Sequence, residues 1–184
     1  ELERTAADTA ASICLADHDG TIGVFLGDSE ARRRADSSLP ISGGAMAEDL
    51  VGTNGEGTVV EEGHAVQIWG AEHFCEGMQD FYCTSVSVLD PLRRTLRAIL
   101  SIALPAPIAT SVDPRSVALI ARGAAAELGQ VLASRLAVRE QTLLSSYLTE
   151  VRKRGADSVV VMDDRTTIAS KGALQMLGEG DYGV

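Results

Sequence analysis

The sequence predicts an α+β fold, and three observations lead to this prediction. Apolar runs of strand-like composition recur between Ser12 and Ala103, separated by turn residues. From Ser116 to about Lys153, apolar residues instead recur every three or four positions, which is the period of a helix. A short strand pattern follows this helix. Strands followed by a long helix are typical of α+β domains.

The first strands are predicted as a hairpin over Ser12–Leu26. Two apolar runs flank Asp17-His18-Asp19-Gly20, and Asp-Gly is among the strongest hairpin turn signals. Further strands are predicted in His64–Trp69 and Leu96–Ala103. Cys83–Leu89 alternates apolar with small polar residues, which predicts a half-buried strand.

A long helix is predicted to follow the strands. Asp113-Pro114 has the pattern of a helix cap and first helical residue, and Gly155 is expected to end the helix. The apolar stripe consists of Ile120, Ala124, Leu128, Leu132, Leu136, Leu143, Tyr147 and Val151. A helix of roughly 35 residues with this spacing favours pairing in a parallel dimer. Residues 113–154 are therefore predicted to be a dimerising and signalling helix.

The chain after this helix is predicted to start a second, truncated unit over residues 155–184. Ser158–Ile168 has a hairpin pattern, and Gly172–Leu177 has a helical one. The sequence begins at Glu1 without a charged and then apolar leader. We therefore expect an excised piece of a longer, cytoplasmic protein.

Composition excludes several classes of function. The 184 residues include 16 basic and 26 acidic side chains, giving a net charge of -10 and no basic block, which argues against nucleic-acid binding by this segment. Hydrophobic residues make up 45% of the chain, so wholesale disorder is excluded. No apolar run approaches the roughly 18–20 residues of a membrane span, so no membrane partner is expected. Three cysteines without framework spacing predict reduced thiols.

Three motifs together resemble one kind of GAF sensor domain. They are Val51-Gly-Thr-Asn-Gly-Glu-Gly-Thr58, Trp69-Gly-Ala-Glu-His-Phe74, and Cys83 ahead of a strand. This domain stands at the front of bacterial transcription activators of the acetoin-catabolism-regulator type. The resemblance covers most of residues 1–135 and includes Leu15–Gly20. The tail Val159–Ala173 resembles the opening of a PAS-like unit.

The resemblance implies a GAF-like antiparallel sheet flanked by helices, with residues 1–112 as the sensor domain. It also implies a ligand-sensing regulatory domain that binds a small-molecule effector. DNA would be contacted only through a Fis-type helix-turn-helix outside this fragment. The chain departs from the family pattern at Ser87-Val88 and at Ala98–Ser101, and no Trp precedes Cys83. These departures leave the fold prediction unchanged and identify no ligand.

The ligand pocket is expected between the sheet and the Gly-rich connection Leu39–Gly57, closed by the segment Trp69–Phe81. Small residues such as Ala45, Ala47 and Ser85 would leave room for an effector. The predicted ligand-binding residues are Phe25, Thr53, Asn54, Trp69, His73, Phe74, Phe81 and Cys83.

Two clusters in this region have alternative interpretations. The loop Gly52–Gly57 either cradles an anion or, as favoured, forms a tight loop capped by Thr53 and Asn54. Glu72, His73 and Cys75 with Cys83 are either metal ligands or, as favoured, part of a structural lock. In that lock, Glu72 or His73 bonds to the backbone and Phe74 packs inward, so no metal is expected.

The remaining reactive side chains predict no active site. Cys75 or Cys83 would be a redox sensor if His73 lowered its pKa, whereas a buried, inert thiol is the more common case. Asp17 and Asp19 are interpreted as turn residues, and His18 and His64 as exposed. No catalytic residue or cofactor is predicted. The alternatives to a sensor are a GAF-like dimerisation scaffold with a filled pocket, a thiol sensor and a methionine-sulfoxide reductase.

Overall fold

A computed structural model describes residues 4, 6, 9–27, 33, 42–90, 94–154, 158–164 and 166–177. The predicted helix stop at Gly155 and residues 39–41 of the predicted connection lie outside these ranges. The chain divides into two compact units, Glu1–Val131 and Leu132–Val184.

The first unit contains a five-stranded antiparallel sheet. Its strands are β1 (Ser12–Asp17), β2 (Ile22–Leu26), β3 (Val66–Trp69), β4 (Phe81–Leu89) and β5 (Leu96–Pro105). Their order across the sheet is β2-β1-β5-β4-β3. The predicted hairpin is confirmed, and the Asp17 carboxylate shapes its turn by accepting hydrogen bonds from the backbone N–H groups of Asp19 and Thr21. The α+β prediction is therefore confirmed.

Short helices connect the strands. They are α1 (Glu48–Val51), α2 (Gly55–Glu62), α3 (Ala106–Ala109) and two 3-10 turns, Gly70–Glu72 and Glu76–Met78. The long helix α4 spans Pro114–Arg154.

Helix α2 and the start of helix α4 lie on opposite faces of the sheet. Val59 of α2 packs against Ala16 and Ile99, so α2 covers the face that carries alternate residues of β1 and β5. The opposite face carries Thr84, whose hydroxyl accepts a hydrogen bond from Gln67; the Gln67 amide also donates to the carbonyl of Pro114 at the start of α4. Both faces of the central strands are consequently covered.

Strand β4 differs from its prediction, because its polar residues are buried as well as its apolar ones. Thr84 and Ser85 are inaccessible, as is Ser101 on the neighbouring strand. The hydroxyl oxygens of Ser85 and Ser101 lie 2.6 Å apart in a hydrogen bond. The alternation therefore indicates a strand covered on both sides, in which small hydroxyl side chains satisfy one another.

Helix α4 begins as predicted, with the Asp113 carboxylate accepting from the backbone N–H of Arg115. It has 41 residues, about 60 Å at 1.5 Å per residue. Of the stripe predicted for pairing, Ile120 is exposed and the other members are half-buried or buried. A different set of large apolar side chains is exposed on α4: Leu119, Val131, Val138, Leu144 and Leu148, together with Ile120.

By length and composition, Pro114–Lys153 also meets the criterion for a membrane-spanning helix. This differs from the sequence-based expectation that no run is sufficiently apolar. The criterion takes no account of packing, and helices of soluble proteins also meet it. It is therefore weak support for a membrane span.

The second unit confirms the predicted hairpin and helix. Strands β6 (Val160–Met162) and β7 (Thr167–Ala169) pair antiparallel and precede helix α5 (Lys171–Leu177). The Ser170 hydroxyl accepts from the backbone N–H of Val159 at 2.9 Å and joins the two ends of the hairpin. Arg139 on α4 pairs with Asp163, at 3.0 Å, and with Asp164 in the hairpin turn.

Candidate functional site

A cavity lies between the sheet and the N-terminal end of α2. Its volume is about 30 Å³, counted as space that the centre of a water molecule can occupy. Five of the eight predicted ligand-binding residues line it: Phe25, Asn54, His73, Phe81 and Cys83. Their role in binding remains a prediction. The cavity lies between the sheet and the predicted Gly-rich connection.

Small side chains on three adjacent strands create this space. Ser12 on β1 pairs with Ala103 on β5, which pairs with Cys83 on β4, so the three lie in one row across the sheet. All three line the cavity. Ala45, Ala47 and Ser85, which were expected to leave room, are not part of the lining.

The Gly-rich loop brings α2 close to the sheet. A Cβ on Gly55 would lie 2.3 Å from Oγ of Ser85, so only glycine permits this approach. Gly52 has φ +70° and carries the ring of Phe74 directly against its backbone. The loop is therefore shaped by packing against the sheet and against Phe74.

Asn54 is the cap of this loop, in agreement with the favoured interpretation. Its Nδ2 donates to the carbonyls of Met46 and Gly52, and its Oδ1 accepts from the backbone N–H of Gly57. Thr53 does not share this role, because its side chain is exposed. Among the described cavity-lining residues there is no Lys or Arg, so the lining offers no cationic partner to an anion.

Glu56 is a buried cavity-lining residue that the sequence analysis did not single out. It lies in the first turn of α2, is 6% exposed and lines the cavity. Burial raises the pKa of its carboxyl, while hydrogen bonds from its own backbone and from Ser101 oppose the rise. An acid between two glycines after a capping Asn is a visible signal, but its burial follows only from the sheet packing.

His73 presents a nitrogen without a partner. The side chain is 1% exposed and lines the cavity. Its Nδ1 lies 3.0 Å from the carbonyl oxygen of Gly70, which can only accept, so Nδ1 carries the proton. Burial lowers the pKa of His73, which favours the neutral ring. Nε2 is then a buried acceptor with no hydrogen-bond partner in the described part of the chain.

The buried thiols are not activated. Burial is the main cause that raises the pKa of both Cys14 and Cys83, and the carboxyl of Glu56 raises them further. The favoured interpretation of Cys83 as a buried, inert thiol agrees with its raised pKa, whereas the alternative in which His73 lowers that pKa does not. Cys75 is half-buried, and its Sγ donates to the carbonyl of Val51 at 3.2 Å.

Trp69 lies outside the cavity. Strand β3 places it opposite Tyr82, and the two ring centroids are 4.6 Å apart. Since Phe81 and Cys83 face the cavity, the residue between them faces away. Trp69 is accordingly on the other face of the sheet and 41% exposed.

Phe74 and Thr53 also lie outside the lining. Phe74 is 75% exposed, so the expectation that it packs inward is wrong. Its backbone N–H donates to the carbonyl of Thr53 at 3.1 Å. Together with the bond from Cys75 to Val51, this contact ties the segment that carries His73 to the loop that precedes α2.

The predicted structural lock required Glu72 or His73 to bond to the backbone, and both side chains do so. Oε2 of Glu72 accepts from the backbone N–H of Trp69 at 2.7 Å, and His73 bonds to Gly70. Among the described residues, the group with metal-ligating atoms close together is Asp17, His18 and Asp19, not the cluster around His73. It is fully exposed, and the Asp17 carboxylate serves the hairpin turn. His18 and His64 are exposed, as predicted.

Comparison with known proteins shows that the chain is similar to part of several transcriptional activators. The family described as MimR, N-terminal domain, matches residues 2–129. The propane 2-monooxygenase operon transcriptional activator MimR of Mycolicibacterium goodii is 27% identical over 148 residues, which is 80% of this chain and 25% of that protein. An uncharacterized 47.3 kDa protein of Rhodococcus erythropolis is 39% identical over 90 residues, 49% of this chain and 21% of that protein.

A solved structure has a similar fold. The Escherichia coli DhaR(N)–DhaL complex contains a chain that matches with a TM-score of 0.70 and 17% identity, over 96% of this chain and 60% of that chain. The chain described above spans a quarter or less of the length of these two curated relatives.

Proposed function

Because the chain belongs to the MimR N-terminal domain family, we propose that it is the ligand-sensing region of a cytoplasmic regulator that binds DNA. The MimR relatives are transcriptional activators, regulatory rather than enzymatic proteins. We place the regulator in the acetoin-catabolism-regulator type, with its DNA-binding output in a segment outside residues 1–184. The buried, unactivated thiols of Cys14 and Cys83 favour this over a thiol enzyme or a thiol sensor.

The observation that carries the proposal is the cavity above the sheet. It lies beneath α2, is lined mainly by apolar and small side chains, and contains a few buried polar groups. That composition is the usual one for sites that bind small molecules. The effector acts if it binds two states of the domain unequally; a ratio of about 10–100 corresponds to roughly 1.4–2.7 kcal/mol.

Helix α4 supports a homodimer that transmits the signal. Large apolar side chains exposed on one helix are typical of a surface that pairs. In the proposed organisation, residues 1–112 sense the effector, residues 113–154 pair and signal, and residues 155–184 begin a PAS-like unit. The exposed positions Val138 and Leu148 are suitable reporters of pairing.

The direct test is a binding screen on the 184-residue chain by thermal shift and ligand-observed NMR. The panel comprises small alcohols, ketones, phenols and cyclic nucleotides. A member that binds should raise the melting temperature in proportion to the logarithm of its concentration above Kd. If no member binds, the sensor proposal fails.

Pairing is tested by a short bis-maleimide crosslinker on Val138→Cys in a Cys75→Ser background. We expect a crosslinked dimer whose yield changes when a bound effector is added. The matched control is Glu140→Cys, two residues and about 200° further around the helix, which should crosslink less. Equal yields from both variants would contradict the proposed dimer surface.

The small volume of the cavity favours one competing function, a dimerisation scaffold without an effector. About 30 Å³ is far below the roughly 300–1,000 Å³ of typical drug-sized sites. The scaffold predicts crosslinking at Val138 that no compound alters. Binding of any panel member, with a change in crosslinking, would exclude it.

A further inference from the structure

We infer that the cavity recognises a short-chain alcohol of two or three carbons, whose hydroxyl donates to Nε2 of His73. This inference rests on the proposed sensor function and narrows its effector class. Three features of the cavity lead to it: one buried acceptor, the chemistry of the other polar groups, and the available volume.

The acceptor is the first feature. Nε2 of His73 is buried, and the bond from Nδ1 to Gly70 leaves it as a lone-pair acceptor. An unsatisfied buried acceptor has a free-energy cost that a donor group removes. A hydroxyl supplies that donor, whereas the carbonyl of a ketone or aldehyde does not.

The other polar groups disfavour anionic ligands. The Glu56 carboxyl lies in the lining, and no cationic side chain stands among the described lining residues. A carboxylate ligand would be desolvated without a counter-charge and placed beside an acid, which is unfavourable. Asn54 already uses both its amide hydrogens and its oxygen within the loop. Among the described lining residues, His73 carries the buried polar side-chain atom that has no hydrogen-bond partner, Nε2.

The volume and the rest of the lining set the size and shape of the ligand. A cavity with about 30 Å³ of space for the centre of a water molecule admits only a ligand of a few non-hydrogen atoms. Ile22, Met46 and Met78 form an apolar cluster at its edge. An alkyl chain gains from contact with these side chains, while the hydroxyl reaches His73. Phenol is too large for the cavity in this form.

The experiment compares ligands that share a carbon skeleton. Propan-2-ol, acetone, acetate and phenol are titrated into the 184-residue chain, with binding followed by ligand-observed NMR at millimolar concentrations. We expect propan-2-ol to bind at least about tenfold more tightly than acetone, because acetone leaves Nε2 unsatisfied. We expect acetate to show no binding and phenol to bind more weakly than the alcohol. Acetone, acetate or phenol binding as tightly as propan-2-ol would overturn the inference while leaving the sensor proposal intact.

A second readout reports on the acceptor itself. The chain has three histidines, so ¹⁵N-imidazole spectra resolve His73 once His18→Asn and His64→Asn have assigned the others. Free protein should show a neutral ring protonated on Nδ1. Saturating propan-2-ol should then shift the Nε2 resonance in the direction of hydrogen-bond acceptance. An unchanged Nε2 resonance at saturation would contradict the inference.

The matching variant is His73→Asn, which keeps a donor near the position of Nδ1 and removes the Nε2 acceptor. We expect its affinity for propan-2-ol to fall by about tenfold or more, with acetone little changed. His64→Asn, at an exposed position, is the control and should bind as the parent does. Equal affinity of the His73→Asn variant for the alcohol would overturn the inference. If the variant does not fold, the ¹⁵N measurement on the parent chain decides the question.

Discussion

The two ends of helix α2 rest on the same sheet face but differ in what they bury. At the C-terminal half, Val59 is fully buried against Ala16 and Ile99. At the N-terminal end, Asn54 and Glu56 are buried polar groups beside the cavity. The C-terminal half of α2 stabilises the packing of the helix on the sheet. The N-terminal end borders a cavity that contains polar groups.

This difference arises from which side chains the sheet presents. Below Val59 the row across the sheet contains Ala16 and the large side chain of Ile99, whereas below Gly55 the rows consist of serine, cysteine and alanine. Small side chains let the helix approach closely at one point and leave a gap beside it. One helix of eight residues therefore covers both a cavity and a stabilising core.

The largest expected effect is at the polar end, from Asn54→Ala. The change removes three hydrogen bonds and leaves the carbonyl of Met46 and the N–H of Gly57 buried without them. We expect the free energy of unfolding to fall by about 2–4 kcal/mol. Urea denaturation measures it.

The control for this variant is Thr53→Ala, one residue earlier and exposed. It should change the free energy of unfolding by less than about 0.5 kcal/mol. Equal losses from the two variants would show that Asn54 is not the cap on which the loop depends.

An intermediate effect is expected at the apolar end, from Val59→Ala. Removing two methyl groups from a fully buried position should destabilise the fold by about 2 kcal/mol, without altering ligand binding in the cavity. The half-buried neighbour Val60 provides the comparison, and Val60→Ala should lose less. Urea denaturation and the propan-2-ol titration together test this separation of roles; a loss of binding in Val59→Ala would contradict it.

The smallest effect is a change in pH dependence, from Glu56→Gln. The folded-state pKa of Glu56 is raised, so the folded protein holds this proton more tightly than the unfolded chain does. The contribution of Glu56 to stability is fully present below its unfolded-state pKa of 4.5. It is lost as the pH rises through the folded-state pKa. The slope is at most about 1.4 kcal/mol per pH unit.

In Glu56→Gln that component of the slope should disappear, so the variant gains stability relative to the parent as pH rises. Urea denaturation at several pH values between 4 and 8 measures the difference. Glu62→Gln, at an exposed position of the same helix, should keep the slope of the parent. A parent slope that persists in Glu56→Gln would show that another group is responsible.

The sequence was sufficient for the fold because local signals marked its elements. Asp17–Gly20 encodes a turn through the Asp17 carboxylate, and Asp113-Pro114 encodes a helix start. Burial on β4 was not predictable in the same way. The alternation of apolar and small polar residues on β4 is typical of a half-buried strand. Thr84 and Ser85 are buried only because both faces of the sheet are covered.

The site was predictable in its location and less so in its members. The motif residues Asn54, His73 and Cys83 line the cavity, since they lie in the loop and strand that the family pattern marks, and their role in binding stays a prediction. Trp69 was misplaced because one residue of strand register decides which sheet face a side chain occupies. Glu56 was missed because a charged residue near a helix start normally faces solvent.

Two hydrogen bonds join the segment carrying His73 to the loop before α2, from Phe74 to Thr53 and from Cys75 to Val51. The segment that carries His73 and the loop before α2 are consequently joined to each other rather than independent. A molecule that enters the cavity between these two segments must first break the hydrogen bonds that join them. The rate at which the Phe74 amide opens therefore limits entry by that route. Hydrogen exchange at the Phe74 amide would measure this opening rate.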